Sequence, residues 1–304
     1  MSLTNRKNEI LMAYLFLFPT ILFYLIFWLI PIMFSFILSF TEWSGFDLSL
    51  IKWVGIENYK AILSKGSTFV NTVLINTLYF AFGTVILSFI ASLIIAFMIT
   101  RLPFEGFWRT LYFLPMVTTV VAIGNIWKFL YDSNYGLING LLNKIGIQPI
   151  NFLNDPKIAL TSIVVVSAWA SIGGAVLILS AGLKAIPEIY YEAATIDGAN
   201  IFQNFWYITL PLLRPSMLFV LITGLITGLQ SFTLIMVMTT SGLGGVGGGP
   251  ANSTNVAALE MYNQAFVFGS WGKATAMSFI LFVIVFLITL IQLYIFRKGG
   301  VEEY

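Results

Sequence analysis

Six stretches of this chain are long and apolar enough to cross a lipid bilayer, which needs about 20 consecutive apolar residues. They cover residues 11–40, 68–100, 107–130, 158–183, 210–238 and 274–296, and none contains an acidic residue. In hydrocarbon every backbone polar group must be paired within the protein, so only helices and closed barrels span a membrane. The runs are too long and too unalternating for barrel strands. The expected fold class is therefore all-α: a polytopic membrane protein with six transmembrane helices. Composition agrees, since only 9% of residues are charged against about 25% in soluble domains.

The first run follows Arg6 and Lys7 but greatly exceeds the 7–15 apolar residues of a cleavable signal. It reads as a retained helix, which Pro31 is expected to kink or end. Trp43 and Trp53 then fall where interfacial aromatics belong. Six spans put both termini on one side. With that side cytoplasmic, the inner segments 1–10, 101–109, 184–214 and 297–304 carry eight Lys or Arg in 58 residues. The outer segments 41–66, 128–157 and 239–273 carry seven in 91. The excess of basic residues inside predicts cytoplasmic N and C termini. The outer segments 56–63 and 137–144 have the composition of short helices, and 241–250 (SGLGGVGGGP) reads as a glycine-rich connector. That connector lacks the Gly-Lys-Ser/Thr ending of a phosphate-binding loop.

Several function classes are excluded at this level. A net charge of +2 cannot build a nucleic-acid-binding face. The chain has neither Cys nor His, which removes thiolates, the commonest metal ligand and the commonest general base. No catalytic or metal residues are expected, and an intramembrane enzyme lacks the paired groups it would need. Secondary transporters place ionisable residues inside their spans to hold a coupling ion. Here the span interiors offer neutral groups instead, among them Asn71, Asn76, Asn125, Ser167, Ser171, Gln230, Ser231, Thr233 and Gln292. Lys128 stands at an outer span end, where it can snorkel to the interface. Most such neutral groups bond between helices; as a set they suit an uncharged, hydroxyl-rich solute.

The segment between the fourth and fifth spans does not fit its place. From Ala185 to Leu213 it holds Glu188, Glu192 and Asp197 but no Lys or Arg, where a cytoplasmic loop leans positive. Pro187 suits a first helical turn, Ile189, Ala193 and Ile196 form one apolar side, and Gly198 suits a left-handed stop. A second short helix is expected from about Asn200 to Ile208, with Pro211 opening the fifth span. An acidic, aromatic, alanine-rich helical turn has the chemistry of a docking surface for a basic groove, though an ordinary solvated loop has the same composition.

Glu192-Ala193-Ala194, Asp197-Gly198-Ala199, Phe205, Ile208, Leu210-Pro211 and Pro215 resemble the EAA loop of binding-protein-dependent ABC importer permeases. WVGIENYKAIL (53–63), YGLINGLL (135–142) and GGGPANST with YNQAF (247–266) look like its carbohydrate-type, maltose-permease-like members. The resemblance implies one transmembrane permease domain over 1–304, of the type I importer fold, with a cytoplasmic coupling loop at 185–210. It implies that Glu192, Ala193, Ala194, Asp197, Gly198, Ala199 and Pro211 couple to an ATPase, with Glu192 pairing a basic group there. No cofactor is then expected on this chain, ATP and Mg belonging to the ATPase. The implied partners are a second homologous permease, two ATPase subunits and an extracellular or lipid-anchored sugar-binding protein, in a bacterial cell membrane. Aligned on Leu-x-x-Ile-Pro and Gly-Gly-Pro, the family's sugar-contacting positions fall at Ser167, Ser171 and Gly174, and at Leu229, Gln230 and Thr233. Residue types differ from the maltose permease at most of these. Gln230 and Thr233, three apart, are expected on one helix face. Trp169 is expected to pack between helices. The alternative solute is glycerol-3-phosphate or a related phosphorylated polyol, disfavoured by the lack of Lys or Arg in the span interiors.

Overall fold

The computed structural model describes residues 3–100, 102–240 and 246–297. Arg101, residues 241–245 of the glycine-rich connector and the tail 298–304 lie outside the described residues. Among the described residues the regular structure is helical apart from one small hairpin. Five helices are long and apolar enough to span: α1 (Met12–Leu38), α3 (Phe69–Ile99), α7 (Ala159–Lys184), α9 (Ile201–Leu229) and α12 (Trp271–Arg297). Between them lie α2 (Glu57–Leu63), α4 (Glu105–Val117), α5 (Val120–Leu130), α6 (Leu137–Lys144), α8 (Ile189–Ile196), α10 (Thr233–Thr239) and α11 (Ala257–Tyr262). The short helices expected from sequence at 56–63 and 137–144 are α2 and α6. The hairpin pairs Thr41 with Trp53 and Glu42 with Lys52, and Trp53 stacks on Phe40 with ring centres 5.7 Å apart.

Three boundary expectations are corrected. The third span is two helices, α4 and α5, bent by 95°. Thr118 and Thr119 are extended between them (ψ 137° and 141°), and the Thr119 hydroxyl accepts the Ala122 N–H at 3.3 Å, capping α5. Pro31 neither ends nor breaks α1. A π turn over Leu25–Leu29 lets the Ile30 N–H reach the Leu25 carbonyl, and Pro31 then sits in the first turn of the next α segment, where no N–H is needed. The same device recurs in the fifth span. The helix expected to stop near Ile208 runs on through a π turn over Phe205–Thr209, with Pro211 in the next first turn. α9 therefore starts at Ile201 and ends at Leu229, nine residues short of the expected Met238.

α7 forms the centre, packed along α3 and against α4 and α9. Helices gain no hydrophobic advantage over lipid by packing together, so close approach through small residues carries the association. A Cβ on Gly228 would stand 3.0 Å from the Ala81 Cα, and one on Gly83 would be 3.1 Å from a Val164 methyl. At Gly173 a Cβ would overlap the Tyr112 carbonyl oxygen, so α4 touches α7 backbone to backbone. One end of the bundle closes on Ile99, Leu179, Leu213 and Val220, the other on Phe80, Ile163, Ile235 and Leu259. α1 stands apart: 6% of its apolar window is buried, against 44% for α7.

Candidate functional site

Midway along the bundle, three helices each turn a pair of hydroxyls, spaced one helical turn apart, toward one open cleft. α3 supplies Thr84 and Ser88, α7 supplies Ser167 and Ser171, and α9 supplies Thr223 and Thr227. An i, i+4 spacing puts both members of a pair on one face. Ser231 and the hydrogen-only faces of Gly174, Gly224 and Gly228 complete the polar and narrow parts of the wall, and Met116, Val85 and Ile178 the apolar parts. The cleft holds about 320 Å³ and contains no charged lining residue. Thr84 and Ser171 stand at the middle of their helices.

Most of these hydroxyls donate back to their own helix. Ser171 bonds the Ser167 carbonyl at 2.8 Å, Thr223 the Phe219 carbonyl at 2.6 Å, and Thr227 the Thr223 carbonyl at 2.8 Å. Ser88 reaches the Val85 carbonyl at 3.2 Å. Each then presents acceptor lone pairs to the cleft. The Thr84 hydroxyl differs, being buried with no hydrogen-bond partner.

The break after α9 borders the cleft. Gln230 (φ −99°) and Phe232 (φ −144°) leave helical geometry before α10 begins. Non-helical backbone at membrane depth is tolerated where it lines a cavity, and Ser231 does so here. The break separates the residues expected in the solute path. Ser167, Ser171 and Gly174 line the hydroxyl cleft together. Leu229 is core, 1% exposed against Ala81, Val85 and Leu225. Gln230 is exposed and lines a second cleft of about 370 Å³ with Phe232, Tyr262, Phe266 and Trp271. Thr233 opens α10 beyond the break, so Gln230 and Thr233 share no helix face, contrary to the expectation. Trp169 packs edge-on against Trp127, centroids 5.4 Å apart. Thr84, Ser88, Thr223 and Thr227 were not singled out from sequence; the repeated i, i+4 hydroxyl spacing was the signal available.

Other neutral groups tie elements together. Asn76 Nδ2 donates to the Asn252 and Asn255 carbonyls, each at 3.1 Å, holding the loop before α11 against α3. Lys128 Nζ donates to the Thr240 carbonyl at 2.9 Å.

The acidic loop is built by local rules. α8 ends at Ile196 with Asp197 as its C-cap, and Gly198 takes φ +76°. The Gly198 N–H then bonds the Thr195 carbonyl at 3.1 Å and the Ala199 N–H the Ala194 carbonyl at 2.9 Å, the paired bonds of a Schellman stop. Asn200 and Gln203 exchange side chain-to-backbone bonds of 2.9 and 2.8 Å in a capping box that starts α9. Tyr191 ties α8 to α9 through Thr209, 3.0 Å between hydroxyls. The expected apolar side of α8 does not face the protein. Ala194 and Tyr191 turn inward, while Ile196 is 87% exposed and Ile189, Ala193, Phe202, Trp206 and Tyr207 are exposed with it, beside exposed Glu188, Glu192 and Asp197.

Comparison with known proteins gives the following. No family model matches the chain. The trehalose/maltose transport system permease protein MalF of Thermococcus litoralis is 34% identical over 296 residues, covering 96% of each chain. The multiple sugar-binding transport system permease protein MsmF of Streptococcus mutans is 30% identical over 93% of this chain and 94% of its own. Among solved structures, a bacterial ABC transporter involved in import of the acidic polysaccharide alginate superposes with a TM-score of 0.80 at 22% identity, covering 97% of this chain and 98% of its own.

Proposed function

The chain belongs to the sugar ABC transporter permeases, and from that membership we propose that it carries a neutral sugar or oligosaccharide through the cleft between α3, α7 and α9. The observation that carries the solute class is the lining itself: paired hydroxyls at mid-membrane with no charge among them. A polyhydroxylated solute can donate to these acceptors and lose little on leaving water. A phosphorylated polyol would desolvate its charge against a wall that offers no cation, which costs heavily; nothing favours that alternative. The sulfoquinovosyl glycerol transport permease of Agrobacterium fabrum, 33% identical over 84% of this chain, bears a name with an anionic solute, so the uncharged lining is the feature that separates the two readings.

Energy and delivery come from other chains in this reading. Two separate ATPase subunits bind ATP and Mg, this chain none. The exposed apolar and acidic face of α8 and the start of α9 supports docking into a basic, apolar groove of one of them. Glu192 supplies the charge, Ala193, Ala194 and Ala199 permit close approach, Asp197 and Gly198 end α8, and Pro211 lets the coupling segment run into α9. Closure of the ATPase pair moves α8 and α9 together, and α9 carries Thr223 and Thr227, so motion at the docking face reaches the cleft and alternates its access. The bare surface of α1 supports burial against a second, homologous permease. A solute-binding protein outside the cell delivers the sugar, the termini lying in the cytoplasm. An alginate importer has been solved in complex with a pentasaccharide-bound periplasmic protein, which supports such an assembly for this fold.

The test is purification of the chain from its native membrane in mild detergent, mass spectrometry of what accompanies it, and sugar uptake by the reconstituted assembly. Recovery of a second permease and an ATPase, with uptake of a neutral sugar, is expected. A chain that travels without an ATPase even after crosslinking through the α8 loop defeats the proposal.

A further inference from the structure

Hydroxyls in apolar helices ordinarily return to a carbonyl one turn back, because that bond costs nothing in packing. In this bundle Thr77, Ser92, Ser171, Thr223, Thr227 and Thr289 do so at 2.6–2.9 Å. Thr84 does not. It is 5% exposed, lines the cleft, and its Oγ1 has no partner. A buried polar group left unpaired is destabilising by more than a made bond stabilises, so an isosteric Val at this place would give a more stable bundle. Ser180 on α7 is also buried and unpartnered, but of the two only Thr84 lines the cleft, where a partner can arrive from outside the folded chain.

We infer that Thr84 is a solute-contacting residue: its Oγ1, covered in this state, bonds a hydroxyl of the sugar when the cleft widens in transit, making α3 a wall of the path beside α7 and α9. This rests on reading the cleft as part of the sugar path. The chemistry is specific. Ser88, Ser171, Thr223 and Thr227 have spent their protons on their own helices and offer the cleft acceptors, whereas Thr84, alone among the buried hydroxyls of the lining to lack a partner, keeps an O–H to donate. A sugar hydroxyl or ring oxygen that needs a donor finds one at this position. The donor is neutral, so it discriminates among stereoisomers of neutral sugars by hydroxyl direction and supplies no charge to offset that of a carboxylate-bearing unit.

The experiment uses the complete importer, this chain with its co-purified permease, ATPase and binding protein, in proteoliposomes. Thr84→Val and Thr84→Ser are compared with wild type for uptake of a radiolabelled panel of neutral mono-, di- and oligosaccharides, maltose, trehalose and arabinotriose among them. ATP hydrolysed per sugar and the thermal midpoint of the complex are recorded alongside. Loss of one neutral hydrogen bond at the solute predicts an uptake fall of about fivefold to tenfold for Thr84→Val, with a raised thermal midpoint, and near wild-type uptake for Thr84→Ser. Undiminished uptake by Thr84→Val overturns the inference, and so does a joint loss of uptake and stability, which marks a packing role. If Thr84→Val fails to assemble, Thr84→Cys decides. The chain has no cysteine, so a methanethiosulfonate adduct on it reports that one thiol. Slower labelling in the presence of the transported sugar is expected, and unchanged labelling overturns the inference. A wild-type complex that takes up none of the panel sinks the proposed function, whereas normal wild-type uptake with a silent Thr84→Val sinks only the role of Thr84.

Discussion

Replacing Gly198 separates backbone geometry from side-chain contact in the acidic loop. A Cβ there would meet nothing within 4 Å, so no substitution is opposed by the protein's own packing. What opposes it is φ +76°, a region that costs an L-residue about 1–2 kcal/mol, less for Asn, whose side chain supports it locally, and more for β-branched Val. The strain can be relieved only by giving up the two closing bonds, Gly198 N–H to Thr195 and Ala199 N–H to Ala194, which re-aims the end of α8. A penalty of about 1–2 kcal/mol lowers the population with the native turn roughly fivefold to thirtyfold. Apparent affinity for the ATPase falls by the fraction that remains competent. The expected order is Gly198, then Asn, Ala and Val, in ATPase retained by the purified permease and in sugar moved per ATP hydrolysed. Because the substitutions leave Glu192 and the exposed apolar residues in place, equal coupling by Gly198→Asn and Gly198→Val would refute the claim that the left-handed turn sets the docking geometry.

If α8 docks as proposed, Glu192→Lys should abolish or strongly reduce ATPase retention while leaving membrane insertion intact, since it puts a like charge against the proposed basic groove; wild-type uptake in that variant would remove the docking role. Gly173→Val should separate α4 from α7 at the Tyr112 carbonyl and destabilise the chain by about 1–3 kcal/mol. A fluorescence-detected thermal midpoint in detergent reads this, and an unchanged midpoint would mean that the backbone contact is dispensable. The cleft by itself should hold a neutral sugar no more tightly than about millimolar, roughly 4 kcal/mol. Micromolar binding of maltose or trehalose to the purified permease by equilibrium dialysis would contradict that.

What the sequence revealed follows from what each signal depends on. Spans are legible because hydropathy over twenty residues needs no knowledge of neighbours, and α2, α6 and the stop at Gly198 are legible because turns and caps are local chemistry. The π turns before Pro31 and Pro211 were not, because a proline in an apolar run signals a missing donor without saying that the helix will shift register to remove the need. The break at Gln230–Phe232 carries no proline and reads as two more polar residues in an apolar helix. Carrying site positions across it assumed a continuous helix, which is why Leu229, Gln230 and Thr233 point to a core, a second cleft and a separate helix. Ser167, Ser171 and Gly174 survive together because α7 is unbroken. The apolar side of α8 was visible as a period, but a period gives a face and not what covers it; Ile196 faces outward, and that depends on chains other than this one.

The distribution of hydrogen-bond capacity in the cleft has a consequence for how such a chain must be used. Four of its side-chain hydroxyls, Ser88, Ser171, Thr223 and Thr227, are closed on their own helices, so the cleft offers a passing sugar mainly acceptors that exchange readily with water and few uncommitted donors. Each neutral bond contributes about 1 kcal/mol net, while association loses at least about 4 kcal/mol of translational and rotational freedom. A wall of this kind cannot capture a dilute solute. It can let one go, which a path requires as much as entry. Capture then belongs to a protein with a closed, fully paired site, and the direction of movement to an energy source applied through α8 and α9. The weakness of the cleft and the exposed, acid-edged face of the coupling loop are thus two sides of one division of labour: a site too weak to concentrate its solute is useful only where affinity and energy are both delivered from outside the chain.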